Sequence, residues 1–495
     1  MRKLPAAALA ALIAAGTGLV ASCSTSPTPG AAYAPGTPSA SATAHGTADS
    51  AATAHGTQSG GATGHGTAAP NTQVNGTLAN GATWVAEYPA PWNGTLVLYS
   101  HGYGDLTAAD APDADTQHAL LAAGYAIAGS SFDPHGSQWA LNTAVGDQFG
   151  ALAAVEATVL PHQPRHVLAF GTSMGGLISA LEAQDGQGKI DGALTTCGIV
   201  GGGVNLGQSQ LDGEYTIAQL LGDPHTRLVG LDDESAFGTA QALNEAAQQA
   251  QGSSAGKARL ALAMAFLNIP AWDPNDRQPA PADNPGAQES AQFATLMDGS
   301  TNVLAFIEGG RESIEQAVGG QPASTSGTDF ARLFASSPYR QEVTALYRAA
   351  DLNLNADLAA LTAHAAIKAD PAALQRLKAT SDPTGKLAVP ELDLHTIGDN
   401  LVPVQHENTY ARLVSQAGSG DLLKQAYTSS YGHCNFSVSE QMAGLQALLQ
   451  RVTTGQWSDL ATPEGLGKMA DALHLGPAHF TAYSPGPLTG AISGG

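Results

Sequence analysis

The stretch HVLAFGTSMGGLISALEAQ, residues 166–184, decides the fold. Its first five residues are a short apolar run of the kind a buried strand makes, and its last ten have the composition of a helix. Between them lies GTSMG (171–175), a G-x-S-x-G pattern. Small residues on both sides of Ser173 let the backbone fold sharply from strand to helix, and such a bend pushes the hydroxyl outward at the helix N-terminus. A turn serine with a purely structural role would satisfy the bare pattern. The strand before it and the helix after it favour a nucleophile.

Outward from this stretch the same rhythm repeats. GTLVLYS (94–100), YAIAGSSF (125–132) and IDGALTTCG (190–198) read as strands separated by helical segments, and PELDLHTIGDN (390–400) and KQAYTSS (424–430) resume the alternation. Strands alternating with helices imply an α/β fold with a mostly parallel sheet covered by helices on both faces. Residues 205–385 break the rhythm with helical segments joined by Pro- and Gly-rich connections, so they read as a large helical cap inserted between two strands. The expected organisation is a core in two parts, 82–204 and 386–460, around that cap, with a tail at 461–495 packed on the core.

A serine hydroxyl needs a base to take its proton, and the base needs an acid to orient it. Asp399 follows a strand in HTIGDNLVP and is the expected acid; G-D-N is also good turn chemistry, and Asp393 within the strand is its rival. His433 follows the last strand in YGHCN, 34 residues on (433 minus 399), and is the expected base. His395 precedes the acid inside its strand, His406 opens a helix, and His474 and His479 lie in the tail, so none of them has the right order. A developing oxyanion needs aimed donors. The backbone N–H of Met174 is one. The N–H of Tyr103, beside Gly102 in SHGYG (100–104), is the other, with His101 supporting that loop. These groups suffice for acyl transfer, so no metal or organic cofactor is implied. Trp139, Trp272 and Tyr215 are candidate apolar contacts for a substrate, or else ordinary core aromatics. The cap carries no cationic clamp, which favours a neutral or apolar acyl group.

Of 495 residues, 42 are acidic and 20 are Lys or Arg, for a formal charge of −22. Such a surface repels phosphate backbones and argues against a nucleic-acid partner. Arg2 and Lys3 precede a short apolar run (6–20) that ends in VASC (20–23), which resembles the lipobox of exported bacterial lipoproteins. The resemblance implies a signal peptide over 1–23, lipid on Cys23 and a membrane anchor on the outer side; plain secretion is the simpler alternative. Residues 24–81 are mostly Ala, Gly, Ser, Thr and Pro, with TAHGT at 43–47 and 53–57 and TGHGT at 63–67. Too poor in large apolar side chains to bury a core, they read as a disordered spacer, with metal capture by the histidines the weaker reading.

Taken together, HGYG (101–104), GTSMG (171–175), GDNLVP (398–403) and GH (432–433) resemble the α/β-hydrolases. The resemblance covers about 82–204 and 386–455. It implies a Ser-His-Asp hydrolase, in most members cleaving a carboxylic ester of a small molecule or polymer through an acyl-enzyme. An amidase or peptidase, or an acyltransferase, would use the same triad. A catalytically silent surface-binding module is the reading from another class, and its signature, a broken triad, is absent. Cys434 beside the base resembles the His-Cys of tannase and feruloyl-esterase relatives, where a disulfide ties the base loop to a cysteine just before the nucleophile. Thr172 holds that position here, so Cys197 becomes the candidate partner, with two buried free thiols as the alternative.

Overall fold

A computed structural model describes residues 68–186, 188–275 and 278–491; the expected signal peptide, Cys23 and the His-Gly-Thr repeats lie outside them. In chain order the elements are β1 (Val74–Thr77), β2 (Thr83–Glu87), β3 (Thr95–Ser100), α1 (Ala114–Ala122), β4 (Ala126–Ser130), α2 (Ala144–Thr158), β5 (His166–Thr172), α3 (Met174–Asp185) and β6 (Gly192–Thr196). Nine helices follow: α4 (Gly203–Leu220), α5 (Asp233–Ala250), α6 (Ser254–Leu267), α7 (Pro285–Leu296), α8 (Val303–Val318), α9 (Phe330–Ser336), α10 (Arg340–Ala349), α11 (Leu354–His364) and α12 (Pro371–Ser381). The chain then returns to the sheet through β7 (Glu391–Gly398), α13 (His406–Gln416), β8 (Leu423–Tyr431), α14 (Val438–Thr454), α15 (Pro463–Leu473) and β9 (Phe480–Thr481).

The sheet order is β1-β2-β4-β3-β5-β6-β7-β8-β9. From β4 through β8 every pairing is parallel, while β1–β2, β2–β4 and β8–β9 are antiparallel. The interior strands β3, β4, β5 and β6 are buried on both faces, which is why their sequences are apolar runs rather than alternations. One layer of core lies on each side: Val155, Ala180 and Tyr410 pack on one face, Leu120, Leu445 and Leu448 on the other.

Two boundaries differ from the sequence reading. The sheet starts at Val74, inside the stretch assigned to the spacer, because VNGTLANGATWVAE forms a hairpin: Val74 pairs Ala86, and Gly76 lies against the Trp84 ring. Asn and Gly around the turn hid that strand. The tail is also more than packing, since β9 adds a ninth strand on the edge of β8.

The insertion between β6 and β7 has its own core. Helix α6 is buried almost all round from Leu260 to Leu267, and Tyr215, Phe330 and Tyr347 pack around it. An all-buried helix is the centre of a bundle, not a surface layer. Inside this cap Arg311 is held between Glu214 and Glu308, with its Nη1 donating to Glu308 at 2.9 Å and to the carbonyl of Leu228 at 2.8 Å.

Candidate active site

Ser173 sits between the last residue of β5 and the first of α3 with φ 61° and ψ −120°. A non-glycine residue in such a conformation costs on the order of 1–3 kcal/mol and persists only where neighbours enforce it. Here they do. A Cβ on Gly171 would lie 1.9 Å from the carbonyl oxygen of Gly175, one on Gly175 would lie 1.9 Å from that of Ser100, and one on Gly176 would lie 2.7 Å from Gly198 Cα. The three glycines are therefore a space requirement of the bend. The Ser173 N–H donates to Thr196 at 3.0 Å, locking the bend to β6.

The three expected polar side chains meet above this bend. His433 Nε2 is 2.8 Å from Ser173 Oγ, and His433 Nδ1 is 2.8 Å and 3.0 Å from the two oxygens of Asp399. Asp399 also accepts the N–H groups of Leu401 and Val402, both at 2.9 Å. Burial alone would raise its carboxyl, but His433, His395 and the Val402 amide together hold it below the usual carboxylate range. The rival Asp393 points into the core below and is pushed well up by burial, with Glu407 adding to the rise. Asp399, not Asp393, is the carboxylate hydrogen-bonded to His433.

The loop after β3 closes the other side. A Cβ on Gly102 would be 3.3 Å from Ser173 Cβ, so glycine lets this backbone reach the nucleophile. Met174 is buried at the first position of α3, where an N–H has no partner within the helix. His101 stacks on Phe132 at 4.2 Å, lies 2.8 Å from the Gly102 carbonyl through Nδ1, and is pushed down by burial. It is a neutral loop support.

Cys197 and Cys434 form a disulfide. Both have positive φ, 45° and 55°, so the end of β6 and the base loop are tied at two strained residues beside His433.

The cap is pinned to this site from two directions, a feature the sequence did not disclose. Tyr103 Oη donates to the Gly309 carbonyl at 3.1 Å and lies 2.9 Å from Ser313 Oγ, both on α8. On the other side Tyr431 Oη donates to Asp298 at 2.8 Å, and Asn400 donates to Thr301 at 3.0 Å. The aromatic side chains proposed as substrate contacts belong to the core instead. Trp139 donates to Ser381, Tyr215 to the Leu361 carbonyl, and Trp272 packs against Gly398 behind the acid loop. A cleft of about 470 Å³ near Trp92, His118 and Gly124 lies before β3 and β4, at the end of the sheet opposite Ser173.

No protein-family model matches the chain. Its sequence is similar to that of an o-phthalyl amidase from Xanthobacter agilis, with 28% identity over 433 residues, covering 82% of this chain and 92% of that protein. Feruloyl esterase B from Aspergillus oryzae overlaps in structure with a TM-score of 0.38 and 15% identity, covering 78% of this chain and 81% of the other. An esterase from Pyrococcus furiosus overlaps with a TM-score of 0.37 and 11% identity over 77% and 90%. Strand order 1-2-4-3-5-6-7-8, the bend at Ser173 after the fifth strand, and loops after the seventh and eighth strands that converge on it give this chain the α/β-hydrolase fold.

Proposed function

We propose that the protein is a serine hydrolase that transfers an acyl group to water through an ester formed on Ser173. The observation that carries this reading is the unbroken line Asp399–His433–Ser173, with both hydrogen bonds at 2.8 Å. His433 Nε2 takes the hydroxyl proton as Oγ attacks the substrate carbonyl, then gives it to the leaving group. Asp399 keeps the other proton on Nδ1 and steadies the charged ring. Negative charge on the carbonyl oxygen is met by the N–H of Met174 and that of Tyr103 in the glycine loop, aimed from two elements. Water, activated by the same imidazole, then releases the acyl group.

The leaving group has two readings. An ester is what the α/β-hydrolase resemblance implies. An amide gains support from the amidase relative, which this chain matches over most of its length. We further propose that the protein is exported and held at the outer face of a membrane by lipid on Cys23, with no nucleic-acid partner. The basic start, apolar run and VASC support the first part, the charge of −22 the second, and the disulfide fits an oxidising compartment.

Parallel panels of p-nitrophenyl esters and p-nitroanilides, with fluorophosphonate labelling, test the reading. Ser173→Ala should abolish labelling and lower turnover by about 10⁴-fold or more. Turnover of anilides exceeding that of esters of the same acyl group would establish the amide reading. Unchanged turnover in Ser173→Ala would remove Ser173 from the chemistry.

A further inference from the structure

Beside Asp399, the acid of the triad, lies a second histidine–carboxylate pair. His395, on β7 and fully buried, has Nδ1 2.8 Å from Glu407 Oε1 and Nε2 2.9 Å from the Val402 carbonyl and 3.6 Å from Asp399 Oδ2. All three neighbours are oxygens that accept. A neutral imidazole has one bare nitrogen, which needs a donor, whereas an imidazolium donates from both. A neutral ring beside an ionised Glu407 would set lone pairs face to face whichever nitrogen carries its proton, at Glu407 (2.8 Å) or at the Val402 carbonyl (2.9 Å), so the pair holds one more proton than that. Burial pushes Glu407 up to about 7, so its carboxyl is the other group that could hold this proton. The anionic Asp399 carboxylate, 3.6 Å from Nε2, favours placing it on the ring.

The groups packed around the pair sharpen the point. On β7, Asp393 is pushed well up and Glu391 up to about 8, chiefly by burial; on α13, His406 is pushed down to about 3 by burial, and Tyr410 is pushed up. Tyr427 on β8 and Tyr483 in the tail are phenols pushed up by burial. Burial disfavours the charged form of each of these neighbours. The cation on His395 therefore faces two anions, Glu407 and Asp399.

We propose that His395 and Glu407 are positioning residues for the triad: a buried imidazolium, kept charged by Glu407, holds Asp399 and sets the pH at which His433 becomes a free base. The proposal rests on the serine-hydrolase reading. In Glu407→Gln the amide donates to Nδ1, leaving a neutral His395. Asp399 then loses a cationic neighbour, its charge acts more fully on His433, and His433 becomes more basic.

The rate of fluorophosphonate labelling of Ser173 against pH tests this without a known substrate. The acidic limb of the curve in Glu407→Gln should move to higher pH by on the order of half a unit, with Glu407→Asp restoring part of the shift. Nitrogen-15 spectra of labelled histidines in the parent protein at neutral pH should show both His395 nitrogens protonated. A folded Glu407→Gln with the parental curve overturns the proposal, and so does a bare Nδ1 in the spectra, which decides the matter if Glu407→Gln fails to fold. A parent protein that is never labelled would instead sink the serine-hydrolase reading, and the spectra would still report on the pair.

Discussion

Glu342 shows how much a single buried carboxyl can govern in this molecule. It opens α10, is 2% exposed, and has no hydrogen-bond partner for either oxygen among the described residues. Burial pushes it up to about 8, with Glu289 adding to the rise, so at pH 7 the folded protein keeps it protonated. In the unfolded chain the same group titrates near 4.5. Between these values the folded state binds more protons than the unfolded, so the stability this carboxyl contributes is present below about 4.5 and is lost as pH rises toward 8. The slope is up to about 1.4 kcal/mol per pH unit for one proton. The denaturation midpoint should therefore fall from pH 5 to pH 8.5, and Glu342→Gln should make the fall shallower. A variant whose midpoint tracks the parent at every pH would refute the assignment. Such effects have no mark in sequence, where Glu342 stands in an ordinary polar segment, RQEVTALYR (340–348).

At the scale of elements, the base loop depends on two attachments: β8, which precedes it, and the Cys197–Cys434 bond to the end of β6. The bond closes a loop of 237 residues (434 minus 197) and on chain entropy alone is worth up to about 5 kcal/mol. Removing both cysteines as Cys197→Ala/Cys434→Ala should lower the denaturation midpoint and also slow labelling of Ser173, because the base loop would lose its covalent tie to β6. A destabilised variant that labels at the parental rate would show that β8 suffices. Elements of this kind were legible in the sequence because three strands end in functional loops: Ser173, Asp399 and His433 follow the ends of β5, β7 and β8, and the order of the chain already ranks them. The link from Cys197 to Cys434 came through resemblance, and the structure supplies the pairing. His395 and Glu407 were passed over because a histidine inside a strand and a glutamate one residue into a helix look like packing until β7 and α13 are laid side by side. The pins from Tyr103, Asn400 and Tyr431 to the cap were invisible for the same reason: their partners lie from 99 to 210 residues away.

Across the whole molecule, the C-terminal tail joins the sheet to the cap. Phe480 and Thr481 pair with Thr428 and Tyr427 on β8, and Tyr483 meets Tyr427 edge to face at 5.5 Å. The chain then passes Asn408, which donates to the Pro485 carbonyl at 3.1 Å, and enters the cap. There Asn268, at the end of α6, donates to the Thr489 carbonyl at 3.0 Å and accepts its N–H at 2.9 Å, with all of these groups buried. Asn268→Ala would leave a buried N–H and carbonyl without partners, at a cost of about 1–3 kcal/mol each. Because that cost falls on the cap side of the strap, hydrogen exchange should quicken in α4 and α6 while β3, β5 and β6 keep their protection. Deleting the chain after Thr481 should do the same to the cap and spare the β8–β9 pairing. Uniform loss of protection across sheet and cap would mean that the two unfold as one unit and that the tail fastens nothing. Since the same cap rests on the loops of Tyr103 and Tyr431, a cap loosened in this way should bind an acyl substrate less well, raising KM more than it lowers kcat. An unchanged KM with quickened exchange would place the strap's effect away from the substrate path.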